Sequence, residues 1–167
     1  MGDGMKSIEL IVPCYNEEKC VELFFNNIEE VFKKMPQYQY IVTYIDDGSQ
    51  DRTIDEIKKI VKSKRQTGKI QYISLSRNFG KEAAIYAGLS QSTGDYVAVL
   101  DADLQHPPEL LQEMLYAIEK EGFDCATARR INRKGEPPIR SFFSKVFYHI
   151  INRITVIDLV PGATDYR

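Results

Sequence analysis

Short apolar runs alternate with amphipathic stretches along most of this chain. The apolar runs predict β-strands over residues 7–13, 40–47, 69–76, 95–101 and 123–128. Between them, apolar side chains recur at helical spacing, which predicts helices over residues 17–35, 52–64, 80–91 and from Pro107 to the glycine at 122. Strands that alternate with helices of this length indicate right-handed βαβ crossovers. We therefore expect an α/β fold with a Rossmann-like, mainly parallel sheet flanked by helices.

The pattern also divides the chain into regions. Residues 1–6 carry no element and are interpreted as a disordered or expression-derived start, and residues 7–128 as one α/β domain. Residues 129–167 differ, since a basic loop with Gly and Pro leads into an amphipathic helix around 139–153. The chain then stops at "GATDYR" without a polar tail, and we expect it to be a piece of a longer protein.

Charge and cysteine content narrow the classes of function. The net charge of the 167 residues is −2, which gives no general signal for nucleic acid. The basic residues are concentrated between 129 and 153, where Glu136 is the single acid, and this concentration indicates one anionic partner. The three cysteines show no CxxC spacing, so neither a zinc site nor a disulfide framework is predicted. No signal peptide and no membrane-spanning run are predicted, and the fragment is expected to be soluble.

Polar side chains follow each predicted strand at the point where it ends. In open α/β sheets, ligands bind beyond the carboxyl ends of the strands. We therefore expect these residues to converge on one site: Asn16 and Glu17, Asp46 to Ser49, Arg77 and Asn78, Asp101 and Asp103, and Arg129 and Arg130.

The pair Asp101 and Asp103 is the candidate metal site. Carboxylate oxygens suit Mg²⁺ or Mn²⁺, which use one or two carboxylates and complete their shell with substrate phosphates. Gln105 could add a third oxygen, directly or through water. The alternative is a turn followed by the cap of the helix that begins at Pro107.

Two further loops offer groups that suit a nucleoside. Tyr15 could stack on a base and Glu17 could accept from a ribose, although Asn16 and the acids after it could equally start a helix. In "DDGSQDRT", Asp47 and Gly48 indicate a tight turn and Asp51 could cap the next helix, and one carboxylate of the pair Asp46–Asp47 remains free to accept from uracil or guanine. The alternative, a turn and a cap without a ligand, does not explain that pair. Arg77 and Lys81 could balance diphosphate charge, but isolated cations are more often surface residues. No GxGxxG follows the first strand, so a dinucleotide-dependent oxidoreductase is not expected.

Four motifs, in order and spacing, resemble those of family-2 glycosyltransferases with the GT-A fold. They are Pro13-Cys14-Tyr15-Asn16-Glu17, Asp46-Asp47-Gly48-Ser49-x-Asp51-x-Thr53, Arg77-Asn78-x-Gly80-Lys81 and Asp101-Ala102-Asp103-Leu104-Gln105. The closer likeness is to the subgroup of dolichyl-phosphate mannose synthases and undecaprenyl-phosphate glucosyltransferases. Each motif alone is weak, but their joint order is specific.

The resemblance implies a nucleotide-sugar-binding domain over residues 7–128. It implies donor contacts from Pro13, Tyr15, Asn16, Glu17, Asp46, Asp47, Arg77, Asp101 and Ala102. Asp101, Asp103 and Gln105 would lie at a Mg²⁺ or Mn²⁺ ion and the diphosphate. Lys81 would take a catalytic role, because it and the metal would neutralise the leaving nucleoside diphosphate during inverting displacement.

The basic segment resembles the acceptor region of the same subgroup. Arg129 and Arg140 would grip a polyprenyl phosphate, with Ser144 nearby. The alternative interpretation of this segment is a solvated basic loop followed by a helix that packs in the core. Asp165, in "GATDYR", is the second implied catalytic residue, where it would orient or deprotonate the acceptor. A phosphate monoester, with a second pKa of about 6, is already a nucleophile at neutral pH, which favours the orienting role.

The sequence thus predicts a metal-dependent inverting transferase that moves a hexose from a UDP- or GDP-sugar to a polyprenyl phosphate. The full-length protein would act at the cytoplasmic face of the cell membrane, which it would reach through the part beyond residue 167, and would bind no nucleic acid. Two alternatives stay open: a soluble glycosyltransferase that extends a saccharide, and a nucleotide-sugar-binding fragment without turnover.

Overall fold

A four-stranded parallel sheet forms the centre of the domain. The computed structural model describes residues 5–63, 68–105 and 107–128. The elements alternate as predicted: β1 (Ser7–Cys14), α1 (Val21–Lys33), β2 (Gln39–Asp46), α2 (Thr53–Lys62), β3 (Lys69–Ser74), α3 (Lys81–Leu89), β4 (Tyr96–Val99) and α4 (Leu110–Glu121). The prediction of a mainly parallel α/β sheet is confirmed.

The strand order β3-β2-β1-β4 places the start of the chain in the middle of the sheet. From β1 the chain builds outward to β2 and β3, then returns across the sheet through α3 to add β4 on the other side of β1. The direction of winding therefore reverses between β1 and β4. Such a reversal point is where open α/β sheets bind ligands, beyond the carboxyl ends of the strands.

Alternation along the strands supplies two core layers. Ile8, Leu10 and Val12 of β1 face one side, where they pack in the larger apolar cluster with buried residues of α1, α2 and α4. Ile11 faces the opposite side with Ile45, Val99 and Ala84 of α3. Because successive side chains on a strand point to opposite faces, both faces of the sheet are covered by helices.

The predicted fifth strand over residues 123–128 is wrong. These residues follow α4 without strand structure, and Phe123 is more than half exposed. A gap of about 80 Å³ lies between β4 and Asp124 to Ala126, so the segment runs beside the sheet without pairing. Its Ala and Cys side chains bury little apolar surface, which leaves little gain to offset the cost of ordering a strand.

Two helix starts also lie later than the pattern predicts. α1 begins at Val21 rather than 17, because the N–H groups of Cys20 and Val21 both donate to the carbonyl of Glu17 in a preceding turn. α4 begins at Leu110, after a turn in which Leu110 donates to the carbonyl of Pro107. The end at Gly122 is as predicted, with φ +77° in the left-handed region that favours glycine.

Candidate functional site

A cavity of about 300 Å³ opens at the carboxyl ends of β1, β2 and β4. The three strands are parallel and adjacent, so the loops that follow them meet at one edge of the sheet. Eight of the predicted site residues line this cavity: Pro13, Tyr15, Glu17, Asp47, Lys81, Asp101, Ala102 and Asp103. Asn16, Asp46, Arg77 and Gln105 are not among the lining residues that the structure describes.

A larger cavity, of about 690 Å³, lies between α4 and residues 126–128. Its described lining is mostly apolar and includes Leu110, Met114 and Ala117, with Glu113 as its one carboxylate. The smaller cavity is the better candidate for chemistry, because it combines carboxylates, an amine, an amide and an aromatic ring at the point where the sheet reverses.

Lys81 and Asp101 form an ion pair in the cavity. Nζ of Lys81 lies 2.8 Å from Oδ1 and 2.9 Å from Oδ2 of Asp101, so the amine faces both carboxylate oxygens. Lys81 is the first residue of α3, and Asp101 follows β4. About a third of each side chain remains exposed. The pair therefore presents one positive and one negative group to a ligand in the cavity.

Asp103 extends the acidic edge of the same cavity. Its Oδ1 accepts a hydrogen bond of 3.0 Å from the backbone N–H of Gln105, which closes a tight turn. Leu104, inside this turn, has φ +57°, a conformation that non-glycine residues adopt rarely. Gln105 itself is exposed outside the cavity lining, while Ala102 is buried between the two acids. Both the turn and the convergence of carboxylates are therefore present.

These carboxylates suit a cation that is shared with a ligand. Within the described residues, no group of three or more His, Cys, Asp or Glu side chains could hold a metal ion. Mg²⁺ and Mn²⁺ commonly bind to one or two carboxylates and take their other ligands from substrate phosphates. Asp101 and Asp103 fit that arrangement, since both line a cavity with room for a phosphorylated ligand.

Asp46 and Asp47 both have partners, so the expectation that one carboxylate is free is wrong. Asp46 is buried, where it accepts from the N–H of Ser49 and the hydroxyl of Ser74. Asp47 accepts from two backbone N–H groups, those of Phe79 (2.8 Å) and Gly80 (2.9 Å). The physical reason is that the N–H groups of Ser49, Phe79 and Gly80 lie outside helices and strands and find their acceptors in these carboxylates. Asp47 still lines the cavity.

The loop after β1 is held against the loop after β2. Asn16, with φ +56°, donates from its N–H to Ser49 and accepts from the N–H of Gln50 through Oδ1. The N–H of Glu17 donates to Oγ1 of Thr53 at 2.7 Å. Asn16 thus joins two loops and does not cap α1. The loop presents Tyr15, which is 42% exposed, and Glu17 to the cavity.

Asp51 precedes α2 but is not the cap that the sequence suggests, because the N-cap position is occupied by Arg52. Its Oδ1 accepts from the N–H of Thr53, the first residue of α2, and its Oδ2 accepts from the N–H of Glu18. Burial raises the pKa of this carboxyl, but the hydrogen bonds from Thr53 and Glu18 outweigh that effect and leave the pKa lowered. Asp51 therefore supports the site from outside it.

Arg77 is placed at the rim of the site and not in its lining. The guanidinium carbon lies 4.6 Å from the centre of the Phe79 ring, a cation–π contact on an aromatic side chain that is half exposed. The backbone of Arg77 packs against Gly48, where an added Cβ would lie 2.4 Å from the Arg77 carbonyl carbon. The close approach explains why the turn after β2 requires glycine.

Four further lining residues were given no individual role from the sequence: Cys14, Gly80, Ala84 and Asn78, the last expected only among the polar residues at the strand ends. Burial raises the pKa of the Cys14 thiol well above its ordinary value, so this cysteine is a neutral packing residue. Gly80 has φ +98° and precedes α3 directly. The sequence marks Gly80 as part of the motif Arg77-Asn78-x-Gly80-Lys81, and its position between a strand and a helix is a further signal for its role.

The predicted acceptor-side residues Arg129, Arg140, Ser144 and Asp165 lie outside the described residues. In the three ranges that the structure describes, none of the helices combines the length and the apolar character needed to cross a membrane.

Comparison with known proteins relates the sequence to one family. The model of the family described as glycosyl transferase family 2 matches residues 9–162. The chain is 43% identical over 160 residues to "Putative glycosyltransferase CsbB" of Bacillus subtilis (strain 168), covering 96% of this chain and 47% of that protein. It is 33% identical to the bactoprenol glucosyl transferase of Shigella phage SfX, covering 96% and 51%. The chain thus spans about half the length of these curated relatives.

Solved structures show the same fold. S. aureus TarS 1-349 in complex with UDP has a TM-score of 0.59 at 24% identity, over 78% of this chain and 38% of that one. The mannosyltransferase PcManGT from Pyrobaculum calidifontis, in complex with GDP-Man and Mn²⁺, has a TM-score of 0.58 at 23% identity, over 70% and 33%. The likeness confirms the expected GT-A fold.

Proposed function

Because this chain belongs to glycosyl transferase family 2, we propose that its described domain holds a nucleotide-sugar donor in the cavity at the strand ends. The whole protein would then transfer a hexose from a UDP- or GDP-sugar to a polyprenyl phosphate, with inversion at the anomeric carbon. The observation that carries this proposal is the convergence of Asp101, Asp103 and Lys81 with Tyr15 and Glu17 in one cavity.

The nucleoside end of the donor fits the loops after β1 and β2. Tyr15 is 42% exposed and offers a ring for a base to stack on. Glu17 offers carboxylate oxygens that can accept from ribose hydroxyls. Each carboxylate oxygen has two acceptor sites, so Asp47 retains capacity toward the N–H of a base beyond its two backbone contacts. These groups suit uracil and guanine equally, and structural neighbours are complexes with UDP and with GDP-Man.

The diphosphate end fits the loops after β3 and β4. Asp101 and Asp103 would hold a divalent cation together with the diphosphate, and this cation would supply charge neutralisation to the leaving group. Mn²⁺ is present in the complex of the neighbour PcManGT. Lys81 would add a positive charge beside the same phosphates, from a position already fixed against Asp101. Asp101 and Lys81 together therefore orient the bond that breaks.

The acceptor is proposed from sequence. A relative at 33% identity is named a bactoprenol glucosyl transferase, and a bactoprenol-type acceptor carries the kind of phosphate that Arg129 and Arg140 could grip bidentately. Ser144 would add a hydroxyl donor. Asp165 would orient the acceptor phosphate, which would attack the anomeric carbon as an already ionised nucleophile. On this proposal the whole protein works at the cytoplasmic face of the membrane.

The donor site is tested by calorimetric titration of the chain with UDP and GDP, with and without Mn²⁺. We expect one nucleotide to bind in a Mn²⁺-dependent manner and Asp103→Ala to abolish that dependence, since the variant removes one of the two carboxylates. Asp55→Ala, an exposed acid of α2 outside the site, is the matched control and should bind as the wild type does. Binding of neither nucleotide under any condition would refute the donor site.

The acceptor is tested by competition. The protein is incubated with polyprenyl phosphate, a soluble oligosaccharide and a labelled nucleotide-sugar. The nucleotide of this sugar is the one that binds in the calorimetric titration. We expect label in the lipid product and its loss in Arg140→Ala, because the phosphate would lose its bidentate partner. Label in the oligosaccharide would instead favour a transferase that extends saccharides.

A further inference from the structure

The carboxylate of Asp47, proposed above to contact the base, is already engaged by the protein backbone. Both of its oxygens are directed to the backbone of another loop, at 2.8 Å from the Phe79 nitrogen and 2.9 Å from the Gly80 nitrogen. Asp47 is 3% exposed, and both hydrogen bonds are partly buried. Charge-assisted hydrogen bonds of this length are stronger than neutral ones. Asp47 therefore fixes residues 79 and 80 firmly.

Those two residues determine where α3 begins. Gly80 has φ +98°, and its carbonyl accepts the first helical hydrogen bond, from the N–H of Ala84. Lys81 follows as the first residue of the helix. A shift of residues 79 and 80 would therefore move the base of the Lys81 side chain.

Lys81 in turn fixes the acid at the diphosphate end. Its amine lies within 2.9 Å of both oxygens of Asp101. The contacts thus form a continuous path from Asp47, through the turn at Gly80, to Lys81 and Asp101. The four residues of this path, Asp47, Gly80, Lys81 and Asp101, all line the cavity.

We propose that Asp47 is a positioning residue for the diphosphate half of the site, in addition to any contact with the base. It holds the start of α3 so that Lys81 and Asp101 meet across the cavity. This inference rests on the proposed nucleotide-sugar site. It differs from base recognition because it predicts that loss of Asp47 acts at the far end of the nucleotide.

The test compares a nucleoside monophosphate with the corresponding diphosphate. In the presence of Mn²⁺, the ratio of the two dissociation constants measures how much the second phosphate adds to binding, and we call this ratio the diphosphate gain. Asp47→Asn keeps the size of the side chain but turns an N–H₂ donor toward one backbone N–H. We expect it to reduce the diphosphate gain about tenfold, a typical coupling for residues in one network.

Lys81→Gln and the double variant complete a double-mutant cycle. If Asp47 acts through Lys81, the double variant should lose little more diphosphate gain than either single variant loses. Asp95→Asn is the matched control. Asp95 also accepts two hydrogen bonds, both from Ser7, but it lies at the opposite end of the sheet. The diphosphate gain of the Asp95→Asn variant should therefore equal that of the wild type.

Gly48→Ala is a second way to displace the loop that precedes α3 and contains Arg77. The added methyl would lie 2.4 Å from the backbone of Arg77 and displace the loop, while the Asp47 side chain itself is not substituted. We expect the diphosphate gain to fall in this variant as well. Far-ultraviolet circular dichroism shows which variants are folded, and either folded variant suffices for the comparison.

The outcomes separate the two proposals. Equal weakening of monophosphate and diphosphate by Asp47→Asn, with effects that add to those of Lys81→Gln, would show a base contact alone and overturn the inference while the donor site stands. If the wild type binds neither nucleotide, the proposed function falls and this inference falls with it.

Discussion

Buried polar side chains in this domain differ in how fully their hydrogen bonds are satisfied. Glu9 is completely buried in β1, yet its carboxylate accepts from the hydroxyl of Thr43 and from the N–H groups of Thr93 and Gly94. Such a charge is tolerable because each oxygen has partners. Tyr44 contrasts with it, since its buried hydroxyl has no hydrogen-bond partner in the described part of the chain. Its ring packs edge-on against Phe24, with centroids 6.2 Å apart.

Tyr44→Phe should therefore stabilise the protein. The substitution keeps the ring and its contact with Phe24 but removes a hydroxyl that lost its hydrogen bonds to water on folding. We expect the free energy of unfolding to rise by about 1 kcal/mol, measured by urea denaturation. Tyr38→Phe is the matched control and should destabilise, because the Tyr38 hydroxyl donates to Glu119 at 2.9 Å. Lower stability of Tyr44→Phe would mean that its hydroxyl has a partner in solution.

At the scale of elements, hydrophobic periodicity predicted type and order well and boundaries less well. Four strands and four helices lie where apolar runs and helical spacing place them, because both patterns follow from which side chains reach the core. The failures involve residues without a strong core signal. Residues 123–128 contain Ala and Cys but no large inward side chain, and the first turns of α1 and α4 depend on local hydrogen bonds.

α3 packs unusually close to the sheet, and one glycine permits it. A Cβ added at Gly88 would lie 2.5 Å from Cγ2 of Ile11 and 2.8 Å from Cδ1 of Ile45. Both isoleucines are fully buried and have little room to move. Helix propensity favours alanine here, but the overlap with the sheet opposes it.

Gly88→Ala should lower the free energy of unfolding by about 1 to 2 kcal/mol, since overpacking outweighs the propensity gain. Urea denaturation measures the change. Ala83→Gly, at an exposed position of the same helix, gives the size of the propensity effect alone. If propensity dominated, Gly88→Ala would raise stability by about as much as Ala83→Gly lowers it, and the packing argument would fail.

In the whole molecule, the two ends of the sheet have different chemistry. The carboxyl ends carry the cavity, whereas the amino ends carry a cluster of Lys6, Tyr38, Tyr96 and Glu119. In that cluster Glu119 of α4 accepts from Tyr96 at 2.7 Å, from Tyr38 at 2.9 Å and from Lys6 at 3.1 Å. The cluster joins the starts of β1 and β4 to the last turn of α4.

This cluster should make stability depend on pH in the acid range. Hydrogen bonds from Tyr96, Lys6 and Tyr38 lower the pKa of Glu119 from 4.5 to about 2. Because the folded state lowers this pKa, the stabilisation is present above about pH 4.5 and is lost as the pH falls toward 2. Glu119→Gln should therefore have a lower melting temperature than the wild type at pH 6, by a margin that shrinks below pH 4.5. A margin that stays constant from pH 6 to pH 2.5 would contradict the assignment.

The site was predictable from sequence as a location but not in its internal contacts. Parallel strands bring their carboxyl ends to one edge, so the meeting of Tyr15, Glu17, Asp101 and Asp103 followed from the predicted parallel direction of the strands. The partners of Asp47 and the Arg77–Phe79 contact could not be predicted, because they depend on the path of loops whose conformation is set by the rest of the fold.

The separation of the two ends has a consequence for how proteins of this kind diversify. If the cavity holds the donor as proposed, substitutions that change the preferred donor fall in loops at one end, while the Glu119 cluster and the apolar layers bind the elements together elsewhere. Exposed residues of the cavity, such as Tyr15, can therefore change with little effect on the packed core, because surface substitutions usually alter stability little. On that proposal, a lineage could change its sugar or base through substitutions at such exposed positions, without first acquiring compensating mutations in the core.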